Sequence, residues 1–479
     1  MGIRALFTPR DMTEGAPWKR IAEFAIPMLL GNLAQQLYNT VDSIVVGKYV
    51  GDNALAAVGT SMPILNLLLA IFVGVATGAG IIISMHFGAN DRKALSRAIG
   101  NCITLAAIAT VAIMVIGTAA TRPLLRLLGT PDSVFEWCAG YLTIFFLGAG
   151  GFTFYNILSG ILRGMGDSFS ALAFLLVATV LNIGLDYALI FGKFGLPAMG
   201  IAGAAWATAI SAWVGLIFVV VVSMVQKNIL IGPIKEFFDF NKEMLTEYFQ
   251  KANPVAINEV AWGMGTVALN LIYSNLGYEY YAAVTIVRTF ENIAFSLLIG
   301  LCSACAIMVG NSVGAGDIHQ GVDQSRRFCV AEPAAAGILG LILIALRDPL
   351  IHLFNTGGAL SEVTYTSAVY ILIIYSAHMA IRNIPYITIV GIYRAGGDTV
   401  TGVKYDMGCL WFLSVPVTFL AAYVFKLPFP VVYALMLISE DYIKTWLCIR
   451  YFRSWRWLMP VTQEGREALG TWKKEYDIA

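Results

Sequence analysis

Two aspartates in the first half of the chain lie deep inside long apolar runs, where a carboxylate is expensive. Asp42 sits in the run over 20–46 and Asp186 in the run over 168–191. No Lys or Arg lies at comparable depth in that half to neutralise them. Each carboxyl must hold a proton, bind a metal cation or face a water-filled cavity, and a group that alternates among those states can couple an ion to another event. Their neighbours have the same character. Asn32, Gln35, Asn39 and Asp42 recur at helical spacing and fall on one face, as do Thr179, Asn182 and Asp186. Such a set of carboxylate, amide and hydroxyl oxygens suits a hard cation such as Na⁺, and equally a proton on the carboxylate.

The second half is different. Its deep acids are Glu259, Glu291, Glu440 and Asp441, and its deep bases are Arg288, Arg382 and Lys444. Arg288 with Glu291 and Glu440 with Lys444 have the three- and four-residue spacing that lets side chains pair along one helix. That leaves Glu259 and Arg382 to form a buried ion pair with each other. Glu259 also shares a stripe with Trp262, Thr266, Asn270 and Tyr273, and the run around Arg382 presents Tyr375, His378 and Tyr386. Glu23, His86 and Glu136 lie near the ends of runs, where their polar tips can reach the interface.

These residues need a membrane to be meaningful, and composition supplies one. Of 479 residues 58% are hydrophobic and 13% charged, with mean hydropathy +0.73, against about 25% charged in a soluble protein. Reading the apolar runs against their Gly, Pro and charged punctuation predicts twelve spans: 20–46, 54–87, 92–118, 134–158, 168–191, 200–226, 243–275, 281–310, 322–346, 362–391, 402–424 and 429–452. Most Lys and Arg fall on segments that share a side with the N-terminus, which places both termini in the cytoplasm. A net charge of +1 gives no basic field for a nucleic acid. The seven cysteines, including Cys302 and Cys305 at C-x-x-C spacing, read as small buried hydrophobes. No signal peptide is recognisable at the N-terminus.

The chain repeats itself. Gly88-Ala89-Asn90-Asp91 recurs as Gly314-Ala315-Gly316-Asp317, and Ala56-Ala57-Val58 as Ala282-Ala283-Val284, both 226 residues later; Arg163-Gly164-Met165-Gly166-Asp167 recurs as Arg394-Ala395-Gly396-Gly397-Asp398, 231 later. An even number of spans per repeat makes the two parallel. The expected fold is an all-α membrane protein of twelve transmembrane helices in two parallel six-helix repeats around a central cleft. Its parts are a cytoplasmic N-terminal segment (1–19), an N-lobe (20–226), a cytoplasmic linker (227–242), a C-lobe (243–455) and a cytoplasmic tail (456–479).

Val41-Asp42 with Gly47, Ala56-Ala57-Val58, Gly88-Ala89 and the Arg163–Asp167 and Arg394–Asp398 loops, taken in order, resemble the multidrug and toxic compound extrusion (MATE) family, nearest its DinF-like bacterial branch. The resemblance runs from about 20 to 455. It implies a cation-coupled (H⁺ or Na⁺) antiporter that expels amphipathic, often cationic, drug-like molecules across a bacterial inner membrane. The family's cation site maps onto Asp42, Asn182, Asp186 and Thr208, with Asn156 and Tyr141 as further members. If the ion is Na⁺, Asp42, Asn182 and Asp186 are its ligands. Resemblance also links bending at Pro27 to the cation cycle, and offers Glu259 as a direct substrate contact instead of an ion-pair partner. No phosphate-cradling G-x-x-x-x-G-K-[ST] motif and no hydrolase motif occurs, so an ion gradient is the expected energy source and an enzyme is not expected. No cofactor is expected beyond the coupling ion, and the partners are small molecules and the lipid bilayer, for a chain acting as a monomer. A lipid-linked saccharide flippase of the same superfold is the alternative, although it would be expected to line its cavity with arginines.

Overall fold

The computed structural model describes residues 23–34, 52–127, 129–226, 235, 242–355 and 360–476. Gln35, Asn39 and Asp42 lie outside the described residues, as does nearly all of 227–242. Among the described residues, the helices that carry the apolar sequence are α1 Glu23–Ala34, α2 Asp52–Gly88, α3 Arg92–Leu127, α4 Asp132–Gly164, α5 Ser168–Phe191, α6 Ile201–Gln226, α7 Lys242–Leu276, α8 Tyr278–Gly314, α9 Ile318–Ala345, α10 Glu362–Gly396, α11 Val400–Val424 and α12 Phe429–Phe452. A short helix, Arg347–His352, follows α9, and an amphipathic α13, Gln463–Glu475, closes the described chain. Among the described residues, the nine helices α3 to α11 are long and apolar enough to cross a membrane. In α12 the apolar run is interrupted by Glu440, Asp441 and Lys444.

The repeated motifs turn out to be helix connections. Each places a residue in the left-handed region and then an aspartate that caps the next helix. Asn90, Gly166, Gly316 and Gly397 all have positive φ. Asp91, Asp167, Asp317 and Asp398 accept from the backbone N–H of Ala94, Ser170, Gln320 and Thr401 respectively, at 2.9–3.0 Å. A helix start leaves N–H groups without partners, and a carboxylate there satisfies one of them and meets the helix dipole. The repeat is legible because four tight turns need the same chemistry.

By contacts the chain forms two units. One holds α2 as far as Ile83, α3 to α6 and the start of α7 as far as Phe249; the other holds α1 as far as Leu29, the segment Ser84–Asn90 and the chain from Gln250 onward. In the first unit, one apolar cluster joins Leu65, Leu68 and Phe72 of α2 to Leu142 and Phe146 of α4 and Ala204 and Ala205 of α6. In the second, Tyr273 of α7, Phe290 of α8, Leu372 and Met379 of α10 and Phe429 and Leu437 of α12 share a core.

Also within the second unit, Ser84–Asn90 crosses the end of α8 without room for a side chain. A Cβ on Gly88 would overlap the Asn311 carbonyl, and one on Gly314 would overlap the Met85 carbonyl. The two collisions are the same contact seen from each repeat, since 88 and 314, and 85 and 311, differ by 226. We expect Gly314→Ala to lower stability by about 1–3 kcal/mol through overpacking of rigid backbone. The measurement is thermal unfolding of the detergent-solubilised protein, and an unchanged midpoint would show that the crossing can relax.

Prolines and π-helical turns concentrate in the second unit. Segments Ile387–Tyr393 of α10, Leu410–Ser414 and Leu420–Val424 of α11 are π-helical. Pro254 and Pro385 each remove the donor to a carbonyl one turn earlier. Threonines from neighbouring segments make good the loss: Thr399 donates to Gln250 O at 3.3 Å and Thr445 to Ile381 O at 3.4 Å. Where water is scarce, such side-chain repair is what allows a broken backbone ladder.

Candidate ion site

Small residues bring α5 and α6 together. Gly192 takes the left-handed conformation that ends α5, and a Cβ on Gly203 would press on the Leu189 carbonyl carbon at 2.7 Å. Against α4, a side chain at Gly151 would meet the Trp213 backbone at 2.7 Å. Close backbone approach through small residues is how membrane helices associate without a hydrophobic drive. Its consequence here is that Thr208 of α6 faces Asn182 of α5.

Asn182 and Asp186 are 1% and 3% exposed. With its amide nitrogen facing the carboxylate, Asn182 donates to Asp186 Oδ2 at 2.9 Å and its oxygen accepts from the Thr208 N–H at 3.1 Å. In the opposite orientation Nδ2 lies 3.4 Å from Thr208 Oγ1. Either way carboxylate, amide and hydroxyl lie together, Asn182 and Asp186 buried and Thr208 half-buried; spacing on one helix groups the first two, and the family resemblance adds Thr208. Such a cluster can take a proton on Asp186 or offer oxygens to a small hard cation.

The other expected members are placed as follows. Asn156 spends its amide on its own helix, donating to Phe152 O at 2.8 Å. Tyr141 is 8% exposed and lies in the apolar cluster of the first unit. Fifteen residues of α4 separate the two, about 22 Å at the helical rise, so they cannot border one ion. Asp42 lies outside the described residues. Pro27 is half-buried within α1, which runs through it as a helix. Glu136 pairs with Arg122 at 2.8 Å on the surface.

In the second unit the structure corrects two expected pairings and extends a third. Glu259 and Arg382 do not form an ion pair with each other. Glu259 takes the Arg394 guanidinium at 3.2 Å, and Arg382 lies 3.3 Å from Asp441, with His378 Nε2 3.4 Å from the same oxygen. The reason lies in α10, which does not stop at 391 but continues through its π segment to Gly396. Arg394, which looks like a loop residue in the sequence, is thereby carried inside and is 3% exposed. Arg288 and Glu291 do not pair along their helix either: Arg288 donates to Asn270 Oδ1 at 2.8 Å and Tyr433 donates to Glu291 at 2.6 Å. Glu440 and Lys444 do meet, at 2.7 Å, but Lys444 also binds Asp406 at 2.9 Å, which in turn accepts from Asn258 at 3.1 Å.

The sequence reading thus passes over Asp406, Arg394 and a further acid, Glu332, which is 0% exposed. Asp406 and Glu332 lie inside predicted spans, and the rule that singled out Asp42 and Asp186 would have found both. Among the described residues, no group of three or more His, Cys, Asp or Glu is arranged to hold a metal ion by protein ligands of those types.

Comparison with known proteins gives the same lineage from several directions. The MatE family model matches residues 27–188 and 254–420, one segment in each repeat. The probable multidrug resistance protein YoeA of Bacillus subtilis is 27% identical over 412 residues, covering 86% of this chain and 88% of that protein. The probable multidrug resistance protein NorM of Thermotoga maritima is 27% identical over 442 residues, covering 92% and 93%. A crystal structure of MATE in the straight conformation superposes with a TM-score of 0.83 at 21% identity, covering 97% of this chain and 98% of that one. A MOP superfamily transporter from Pyrococcus furiosus gives 0.81 at 21% identity, covering 92% and 96%. At that identity the structural likeness speaks for the fold alone. With a family match across both halves and a shared all-helical fold, the chain belongs to the MATE family, the family that the MatE model describes.

Proposed function

We propose that the protein is a secondary antiporter that exports amphipathic, often cationic, small molecules in exchange for H⁺ or Na⁺ by alternating access. The observation that carries this reading is the cluster of buried Asn182 and Asp186 with half-buried Thr208, which has the chemistry to hold and release a small cation. Asp42 is assigned to the same site on the family resemblance, and Pro27 to the bending of α1 that accompanies ion binding. The names of YoeA and NorM as probable multidrug resistance proteins support drug-like substrates. The chain is assigned to a bacterial inner membrane, with both termini cytoplasmic, acting as a monomer and without enzymatic activity.

The flippase alternative needs free cations for an anionic pyrophosphate. Arg382, Arg394 and Lys444 of the second unit are each engaged by a carboxylate, which favours the antiporter. The test is efflux of ethidium from proteoliposomes under an imposed pH gradient and, separately, an imposed Na⁺ gradient. One of the two should drive ethidium uphill. Failure of both, with downhill leakage intact, would refute ion coupling.

A further inference from the structure

Glu332 is an anomaly in this structure. It lies about midway along α9, beside Pro333, and is fully buried. Neither carboxyl oxygen has a hydrogen-bond partner among the described residues. A lone charged carboxylate in such a place would forfeit its hydration with nothing in return, so the group holds its proton in this conformation. A fixed, permanently neutral acid would serve no purpose that a methionine or leucine could not serve more stably.

The surroundings are as informative as the group itself. Cys302 and Cys305 of α8, Cys329 of its own helix and Tyr386 of α10 are the titratable side chains of its electrostatic neighbourhood. The cation of that neighbourhood among the described residues, Arg394, is held by Glu259 on α7. Nothing in this set neutralises the carboxylate directly. A cavity nevertheless lies close by. A cavity of about 340 Å³ opens between α9, α10 and α12, lined by Arg326, Cys329, Thr388 and Arg453 together with apolar side chains. Cys329 lies one helical turn before Glu332, a rise of about 4.5 Å. Thr388 belongs to the π-helical segment Ile387–Tyr393, and a side chain at Gly391 in that segment would touch the sulfurs of Cys305 and Cys302 at 3.3 and 3.4 Å. The wall between cavity and carboxyl is therefore partly built from a helical turn of the kind that proteins use where a ladder must shift.

We propose that Glu332 is a proton-binding site of the second unit, loaded and unloaded through the cavity bounded by Cys329 and Thr388. This deepens the reading of the chain as an ion-driven transporter and rests on it, but it concerns a different group from Asp186. The ligand is a proton: the buried carboxyl is neutral when closed off, and becomes a carboxylate when water reaches it.

The experiment uses dicyclohexylcarbodiimide, which adds to protonated carboxyls in apolar surroundings and leaves the whole reagent on the side chain as an N-acylurea. The full chain in proteoliposomes is treated in buffers from acidic to alkaline, digested and mapped by mass spectrometry. We expect Glu332 to carry the adduct in acidic buffer and to lose it as pH rises. Glu332→Gln should lose that adduct alone, and the wild-type pH series stands even if this variant folds poorly. An unmodified Glu332 at every pH, or equal modification throughout, would overturn the proposal. The Asp186 peptide is scored in the same digest, so a failure of the first unit's ion site is read independently.

Discussion

Replacing Asp186 with Asn is expected to reduce gradient-driven export by about 10- to 100-fold, the size of a typical coupling free energy between two ligands. The amide keeps the volume of the carboxyl, and its oxygen can still accept from the Asn182 amide that now donates to Asp186 Oδ2. What disappears is the charge that can be protonated or can hold a metal ion. The variant should therefore insert, and melt close to wild type, while ethidium efflux under the driving gradient collapses. Thr208→Val removes a hydroxyl but leaves the carboxylate, and should produce a smaller loss. Efflux at the wild-type rate from Asp186→Asn vesicles would remove the ion site from α5.

The second large effect is on stability. Lys444 is the cation on which Asp406 and Glu440 converge, at 2.9 and 2.7 Å, with Asp441 at 4.0 Å. Its side chain is 8% exposed, and those of Glu440 and Asp441 are 5% and 1% exposed. Lys444→Met strands two carboxylates in a low dielectric, and breaking a buried pair in this way costs about 3–5 kcal/mol. We expect a sharply lowered melting temperature in detergent. The triple variant Asp406→Asn, Glu440→Gln, Lys444→Met leaves no charge uncompensated at those positions, and should recover most of the loss. A Lys444→Met protein that melts with wild type would mean that the carboxylates find another counterion.

Apolar patterning carries most of the fold in this chain. The predicted span 168–191 is α5 residue for residue, and 429–452 is α12, because Asp167, Gly192 and Pro428 punctuate them with unambiguous chemistry. The grouping of Asn182 with Asp186 was also legible, since a four-residue spacing on one helix fixes it. Thr208 needed the resemblance, because the loop around Pro197 separates it from α5 and no periodicity spans a loop. The ion pairs of the second unit were not legible. A pairing rule applied within single helices sees Arg288 beside Glu291, but cannot see Asn270 and Tyr433 arriving from neighbouring helices with better geometry. Nor does any local pattern announce that α10 persists through a π-helical stretch and turns Arg394 toward Glu259. Tertiary packing decides those partners.

The most direct test of ion exchange is its reciprocity. If export is coupled to an ion, an imposed gradient of the exported compound must drive that ion the opposite way. Proteoliposomes loaded with ethidium, at equal pH and equal Na⁺ on both sides, are diluted into ethidium-free buffer while internal pH and internal Na⁺ are followed. Wild-type protein should produce ion movement into the vesicles as ethidium leaves, and Asp186→Asn should not. Ethidium efflux through the wild-type protein with neither ion moving would contradict an antiporter.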